Sequence, residues 1–122
     1  MQLRRIITPT ALGAAAALAV AVPAAAHTEL KSTSPAAGAT KSRSLGTATV
    51  TFTAAIQRGT LEITAPDGSK VSKGSGGRDP RKVTRVRVAL KGGLSAGRYK
   101  ARWTIRAADG HEQAGSFSFR LR

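Results

Sequence analysis

The stretch that decides the fold is YKARWTIR, residues 99–106, in which apolar and polar side chains alternate strictly. One face would carry Tyr99, Ala101, Trp103 and Ile105, and the other would carry Lys100, Arg102, Thr104 and Arg106. A period of two residues is that of a β-strand with one buried and one solvated face. The stretch therefore indicates a sheet that packs on one side only, which is typical of antiparallel β-proteins.

The same alternation recurs on both sides of this strand. It predicts strands within residues 47–53, 61–65, 86–90 and 116–121, and a weaker one over 28–33. Residues 72–81 are rich in glycine and basic residues and are predicted to form a loop. Turn residues separate these segments at short intervals, and no helical period follows residue 26. The chain is therefore expected to be all-β, with an antiparallel sandwich or barrel.

The first 26 residues have the order of features of a cleavable secretory signal helix. Arg4 and Arg5 precede an apolar run over 11–22, Pro23 ends that run, and Ala24–Ala26 supply an A-x-A cleavage site. The run is shorter than the ~20 residues that a membrane span needs. We therefore expect two regions, a signal peptide over 1–26 and one domain over 27–122, and a periplasmic, secreted or cell-surface location.

Charge and sulfur content restrict the function of residues 27–122. This region holds 18 Lys and Arg against six acids, a net charge of +12. The charge indicates weak attraction to anionic cell-envelope surfaces rather than specific binding of nucleic acid. The sequence has no cysteine, and its one methionine is Met1. Thiolate chemistry is excluded, and a thioether site for a soft metal is not expected.

His27 is the most informative single residue for function. Cleavage after Ala26 would make it the first residue, so one side chain and the new α-amine could chelate one metal ion. The amine titrates near pH ~7.7–8.0, so a metal displaces its proton at modest cost. A chelate of nitrogen donors suits Cu(II), which favours tetragonal nitrogen and oxygen ligands.

His111 and Asp109 are the candidate partners of His27. They lie in Asp109-Gly110-His111, a predicted turn between the two clearest strands. Taken alone, this motif favours a plain turn with an exposed histidine. If the turn faces the N-terminus, however, the three residues supply an amine, two imidazoles and a carboxylate to one Cu(II) per chain.

The chain resembles the CopC family of bacterial copper-resistance proteins at both ends of residues 27–122. The opening His27-Thr28-Glu29-Leu30, followed by Ser34-Pro35 and Gly38, is similar to the family's His-x-x-Leu…Ser-x-Pro-x-x-Gly. The ending is similar to its Leu-x-x-Gly-x-Tyr…Trp…Asp-Gly-His…Gly-x-Phe-x-Phe, with Leu94, Gly97, Tyr99, Trp103, Asp109, Gly110, His111, Gly115, Phe117 and Phe119.

The resemblance implies a Greek-key antiparallel β-sandwich of immunoglobulin-like form that binds Cu(II) in copper resistance or homeostasis. It implies that His27 gives its amine and ring, His111 its ring and Asp109 an oxygen. It also implies a membrane partner of the CopD type. Some members carry a glutamate where this chain has Ala54 and Ala55, and some carry a methionine-rich Cu(I) site that this sequence lacks.

Two other function classes fit parts of the sequence. A terminal-histidine copper site also occurs in oxidative polysaccharide-cleaving enzymes, although Tyr99 and Trp103 are expected to face the core rather than a sugar chain. An anionic-polymer-binding sandwich would need most of its cations on one sheet face, namely Lys82, Arg85, Arg87, Lys100, Arg102 and Arg106. No paired carboxylates, Walker loop or dinucleotide fingerprint points to another enzyme, so a non-enzymatic role is expected.

Overall fold

The computed structural model describes residues 28–122, so the predicted signal peptide and His27 lie outside the described residues. Within that range the chain forms strands only. They are β1 Leu30–Ser34, β2 Thr40–Lys41, β3 Thr47–Phe52, β4 Ile56–Thr64, β5 Gly77–Asp79, β6 Lys82–Ala89, β7 Gly97–Ala107 and β8 Glu112–Leu121. Among the described residues, none belongs to a helix that is long and apolar enough to cross a membrane.

The strands form two four-stranded sheets that pack face to face. The first sheet has the order β1-β3-β6-β5 and the second the order β2-β8-β7-β4. All pairings are antiparallel except that of the short β2 with β8. The chain crosses to the other sheet at every connection except β5–β6 and β7–β8, which gives Greek-key connectivity. The predicted β-sandwich is therefore confirmed.

The core lies between the sheets, on the faces that the alternation predicted. All four apolar residues of the 99–106 stretch are buried, as are Phe52 of β3 and Phe119 of β8. The Trp103 ring meets Phe52 edge-on with centroids 5.0 Å apart, and Tyr99 stacks on Phe119 at 5.7 Å. Burial of each large side chain contributes ~1.5–3 kcal/mol. The one polar atom of buried Tyr99 is satisfied, because its hydroxyl donates to the Ser95 carbonyl at 2.7 Å.

One expectation about the strands was wrong. Residues 72–81 are not a plain loop, since they contain β5, and both Ser72 and Asp79 are buried. The Ser72 hydroxyl accepts the Ile63 amide proton and Asp79 accepts that of Arg81, so polar residues close this edge of the core. The weak strand expected around residues 28–33 is present as β1, which begins at Leu30 because residues 28 and 29 make isolated contacts instead of a regular ladder.

Candidate metal centre

The hairpin that joins β7 to β8 positions both described candidate ligands. The Ala107 amide donates to the His111 carbonyl at 2.8 Å, and the Gly110 amide donates to the Ala107 carbonyl at 2.9 Å. Gly110 adopts φ +90°, a left-handed conformation that L side chains rarely take. The Asp-Gly-His sequence therefore forms a tight turn that presents Asp109 and His111 on the same side.

Asp109 holds His111 through both of its carboxylate oxygens. Its Oδ1 accepts the backbone N–H of His111 at 3.0 Å, and its Oδ2 lies 2.8 Å from Nδ1 of the ring. The ring is 79% exposed and the carboxylate 41% exposed, so both groups are accessible from solvent. A neutral imidazole that donates from Nδ1 keeps the lone pair of Nε2, the form in which histidine binds metals.

The pair has the chemistry of a partial metal site. A carboxylate behind a histidine fixes the tautomer and raises the basicity of the ring, as in many metal centres. An ion that replaced the contact between Nδ1 and Oδ2 could take both atoms as ligands, whereas an ion on Nε2 would leave Asp109 to orient the ring.

The start of the described chain is fastened beside this turn. Gln113, at the second position of β8, donates its side-chain amide to the Thr28 carbonyl at 2.9 Å. Thr28 is only 6% exposed. The next residue, Glu29, exchanges two bonds of 2.9 Å with Thr53, from its amide to the Thr53 hydroxyl and from the Thr53 amide to its carbonyl. Residues 28 and 29 are thus held at the end of the sandwich that carries His111.

The loop between β3 and β4 completes this end of the molecule. Directly after this loop, Gln57 of β4 donates to the Ala108 carbonyl at 3.0 Å, which ties the start of β4 to the turn, and Arg58 pairs with Glu112 at 3.2 Å. Ala54 and Ala55 lie in the same loop, where a longer acidic side chain would be needed to reach an ion. We call this end the turn pole; it comprises residues 107–113, Thr28, Glu29 and residues 53–58.

The structure places two of the three predicted ligands together. Residues 28–122 contain no cluster of three or more histidine, cysteine, aspartate or glutamate side chains that could hold a metal. Asp109 and His111 form an incomplete set, and His27, the third predicted ligand, lies outside the described residues. Sequence reasoning missed Gln57 and Gln113, because a glutamine that bonds to a distant carbonyl leaves no pattern in the sequence.

The cations are divided between the two outer faces of the sandwich. Arg85 and Arg87 project from β6 in the first sheet, whereas Lys100, Arg102 and Arg106 project from β7 in the second. The condition set for an anionic-polymer-binding sandwich, that most of the six cations share one face, is not met. Each outer face therefore carries its own set of cations, and neither holds most of the six.

Comparisons with known proteins agree with this architecture. A family model, the CopC domain, matches residues 30–122. The solved CopC from Methylosinus trichosporium OB3b is similar, with 21% identity, a TM-score of 0.64, and coverage of 78% of this chain and 93% of that one. PcoC, a methionine rich copper resistance protein from Escherichia coli, is 24% identical with a TM-score of 0.61, and the match covers 80% of this chain and 100% of PcoC. The structure of selenomethionine PcoC is 23% identical with a TM-score of 0.60, and the match covers 77% of this chain and 99% of that one. No curated protein matches the chain significantly.

Proposed function

Because the chain belongs to the CopC family, we propose that it is an exported copper-resistance protein that holds one Cu(II) ion at the turn pole. The ligands are the α-amine and ring of His27, the ring of His111 and an oxygen of Asp109. The signal peptide over 1–26 is removed, which leaves the domain 27–122 with His27 at its N-terminus.

The single observation that carries this proposal is the bond between Gln113 and Thr28. The carbonyl of Thr28 lies 2.9 Å from a side chain only two residues beyond His111. His27 is bonded directly to Thr28, and consecutive Cα atoms are ~3.8 Å apart. In this proposal the residue that directly precedes the anchored Thr28 reaches the turn with its side chain and amine, as a shared ion requires.

The donor types favour Cu(II) over softer or harder ions. Two imidazoles, one amine and one carboxylate form a nitrogen-rich set of the kind that Cu(II) prefers in tetragonal geometry. Cu(I) selects thioether and thiolate sulfur, and residues 28–122 contain neither methionine nor cysteine. In this respect the chain differs from PcoC, a methionine rich protein. We therefore propose one Cu(II) site and no Cu(I) site.

Asp109 serves the ion in two ways. It keeps the His111 ring in place through the contact of 2.8 Å to Nδ1, and its negative charge favours a bound cation. As an oxygen ligand, Asp109 would exchange its contact with Nδ1 for the ion, because a carboxylate bonded to Nδ1 does not reach an ion on Nε2 at the far side of the ring. Alanines at 54 and 55 leave the rest of the coordination sphere to water, so the ion is exposed enough to be taken up and passed on.

The role is that of a carrier or buffer rather than an enzyme. A polysaccharide-cleaving copper enzyme would need exposed aromatic rings near the ion, but Tyr99 and Trp103 are buried in the core. We propose a location outside the cytoplasmic membrane, where the chain exchanges copper with a membrane transporter of the CopD type.

The test moves the primary amine from His27 to another residue while every side chain of the protein is kept. Protein that begins at His27 should bind one Cu(II), measured by competition titration and electron paramagnetic resonance. A single glycine placed before His27 should lower the affinity at least tenfold, because the primary amine then belongs to another residue. The matched control carries the same glycine after Arg122 and should bind like the unmodified protein. Equal affinity in all three forms would exclude the terminal chelate.

A further inference from the structure

A second functional surface lies on the outer face of the β2-β8-β7-β4 sheet, at the end remote from the turn pole. Arg98 of β7 and Arg120 of β8 are directly opposed in the register, and Lys100 is opposed by Ser118. All three cations are exposed, because their neighbours Tyr99, Phe119 and Leu121 take the buried positions of the alternation. We call these three cations the cationic end.

The cations of this surface are left unbalanced by the protein. Among residues 28–122, no ion pair within 4.0 Å involves Arg98, Lys100 or Arg120. Like charges directly opposed in an antiparallel pair destabilise it. Three of the six acids have Arg or Lys partners elsewhere, since Glu112 pairs with Arg58, Glu62 with Lys70 and Asp79 with Arg85. The fold therefore tolerates an unfavourable Arg–Arg pair that a bound anion would relieve.

The shape of the surface fits phosphate groups. Two shallow depressions flank Arg98, one towards Gly38 and one towards Pro66, and both are also lined by Ser118. A guanidinium donates two parallel hydrogen bonds to phosphate oxygens, and a serine hydroxyl adds another donor. Cationic side chains at alternate positions of a strand are about 6.6–6.8 Å apart, so the array offers several separate phosphate contacts.

The flatness of the face favours a bilayer over a nucleic acid strand. The outward positions of β8 that precede Arg120 are Ser118, opposite Lys100, and Ser116, and the aromatic rings of β7 and β8 lie on the inward side. Single-stranded nucleic acid is held by stacking on exposed aromatic rings, which this face lacks. Reading a duplex requires an element that enters a groove, which a flat sheet face does not provide.

We infer that the cationic end docks on an anionic lipid bilayer through headgroup phosphates. Each cation near an anionic membrane surface adds binding free energy, so removal of three should weaken binding about a hundredfold. The turn pole is left free in this arrangement, because Arg98 and Ala107 are nine residues apart on β7, about 30 Å. The docking requires no bound copper.

The experiment is co-sedimentation with vesicles of phosphatidylglycerol and phosphatidylcholine in equal parts, and with phosphatidylcholine alone. The protein is the exported form, with its N-terminus fixed by mass spectrometry, because a retained signal segment would itself bind lipid. One variant combines Arg98→Gln, Lys100→Gln and Arg120→Gln. Its matched control removes the same charge elsewhere, through Lys73→Gln, Arg81→Gln and Arg87→Gln.

The expected result is salt-sensitive binding to the anionic vesicles only, lost about a hundredfold in the first variant and much less in the control. Equal losses in the two variants would show attraction by net charge alone and overturn the inference. Stronger binding to a single-stranded oligonucleotide than to the vesicles would overturn it in favour of a linear polyanion. Circular dichroism confirms that each variant is folded. Copper binding is a separate readout, so lipid docking can fail without affecting the proposed function.

Discussion

The two ends of β7 show how one hairpin can present opposite chemistry. At the Ala107 end lie Asp109 and Glu112, with Glu29 fastened nearby, so three of the six acids of the sequence gather at the turn pole. At the Gly97 end, Arg98 and Arg120 face each other with no acid paired to them among the described residues. The strands alternate in the same way at both ends; the difference arises from the turn and from what packs beside it.

The physical consequence concerns where a metal cation can bind. With a net charge of +12 over residues 27–122, the domain as a whole repels Cu(II). Salt screens charges over ~8 Å under physiological conditions, whereas the two ends are separated by about 30 Å. The local carboxylates of the turn pole therefore decide the potential that a metal ion meets there.

The largest expected effect comes from removing an imidazole at the turn pole. His111→Ala should lower Cu(II) affinity by more than about a hundredfold, since losing a ligand exceeds the 10–100-fold typical of outer partners. Arg98→Gln, at the other end of the same hairpin, should leave the affinity unchanged. Competition titration of both variants measures the Cu(II) affinity. A comparable loss of affinity in Arg98→Gln would contradict the functional separation of the two ends.

The next effect comes from the carboxylate. Asp109→Asn keeps an oxygen that can accept the His111 amide proton, but it removes the negative charge. Affinity should fall about 10–100-fold, and the electron paramagnetic resonance parameters of bound Cu(II) should shift if an oxygen ligand is lost. A weaker affinity with an unchanged spectrum would limit Asp109 to holding the ring.

A smaller effect is expected from loosening the N-terminal segment. Gln113→Leu removes the side-chain amide that donates to the carbonyl of buried Thr28, which costs about 1–3 kcal/mol in the free energy of unfolding. Copper affinity should fall as well, because the segment that precedes Glu29 is no longer held at the turn. Gln57→Leu, which loses an exposed bond to Ala108, is the matched control. Chemical denaturation and copper titration should show less change in the control, and equal effects would argue against the anchor.

The smallest expected effect is on the pH dependence of stability, at the turn formed by Asp67 and Ser69, which lies outside both ends of β7. The hydroxyl and the amide of Ser69 bond to Asp67 Oδ1 and lower the pKa of that carboxyl below its ordinary value. A lowered pKa stabilises the fold above the unfolded pKa, and this contribution is lost as the pH falls through the folded pKa. Ser69→Ala should therefore lower Tm slightly at pH 7 and less at pH 3. A larger decrease in Tm at pH 3 than at pH 7 would contradict a lowered pKa of Asp67.

Much of the fold followed from alternation alone. Ala48, Val50, Phe52, Val86 and Val88 are buried as the period of two predicted, because each strand has one solvated face. The prediction failed at residues 72–81, where glycines suggested a loop although β5 pairs there with β6. Strand pairing depends on a partner that lies elsewhere in the sequence, and short strands with glycine show no alternation of their own.

The candidate site likewise has a local part that the sequence predicts and a long-range part that it does not. The sequence by itself determined the local part, the Asp109-Gly110-His111 turn, because a carboxylate and an amide two residues apart meet through local backbone geometry. Only the tertiary structure decided that Thr28 lies beside that turn and that Arg98 and Arg120 face each other. Contacts across 85 residues depend on strand register and sheet packing, which no local pattern encodes.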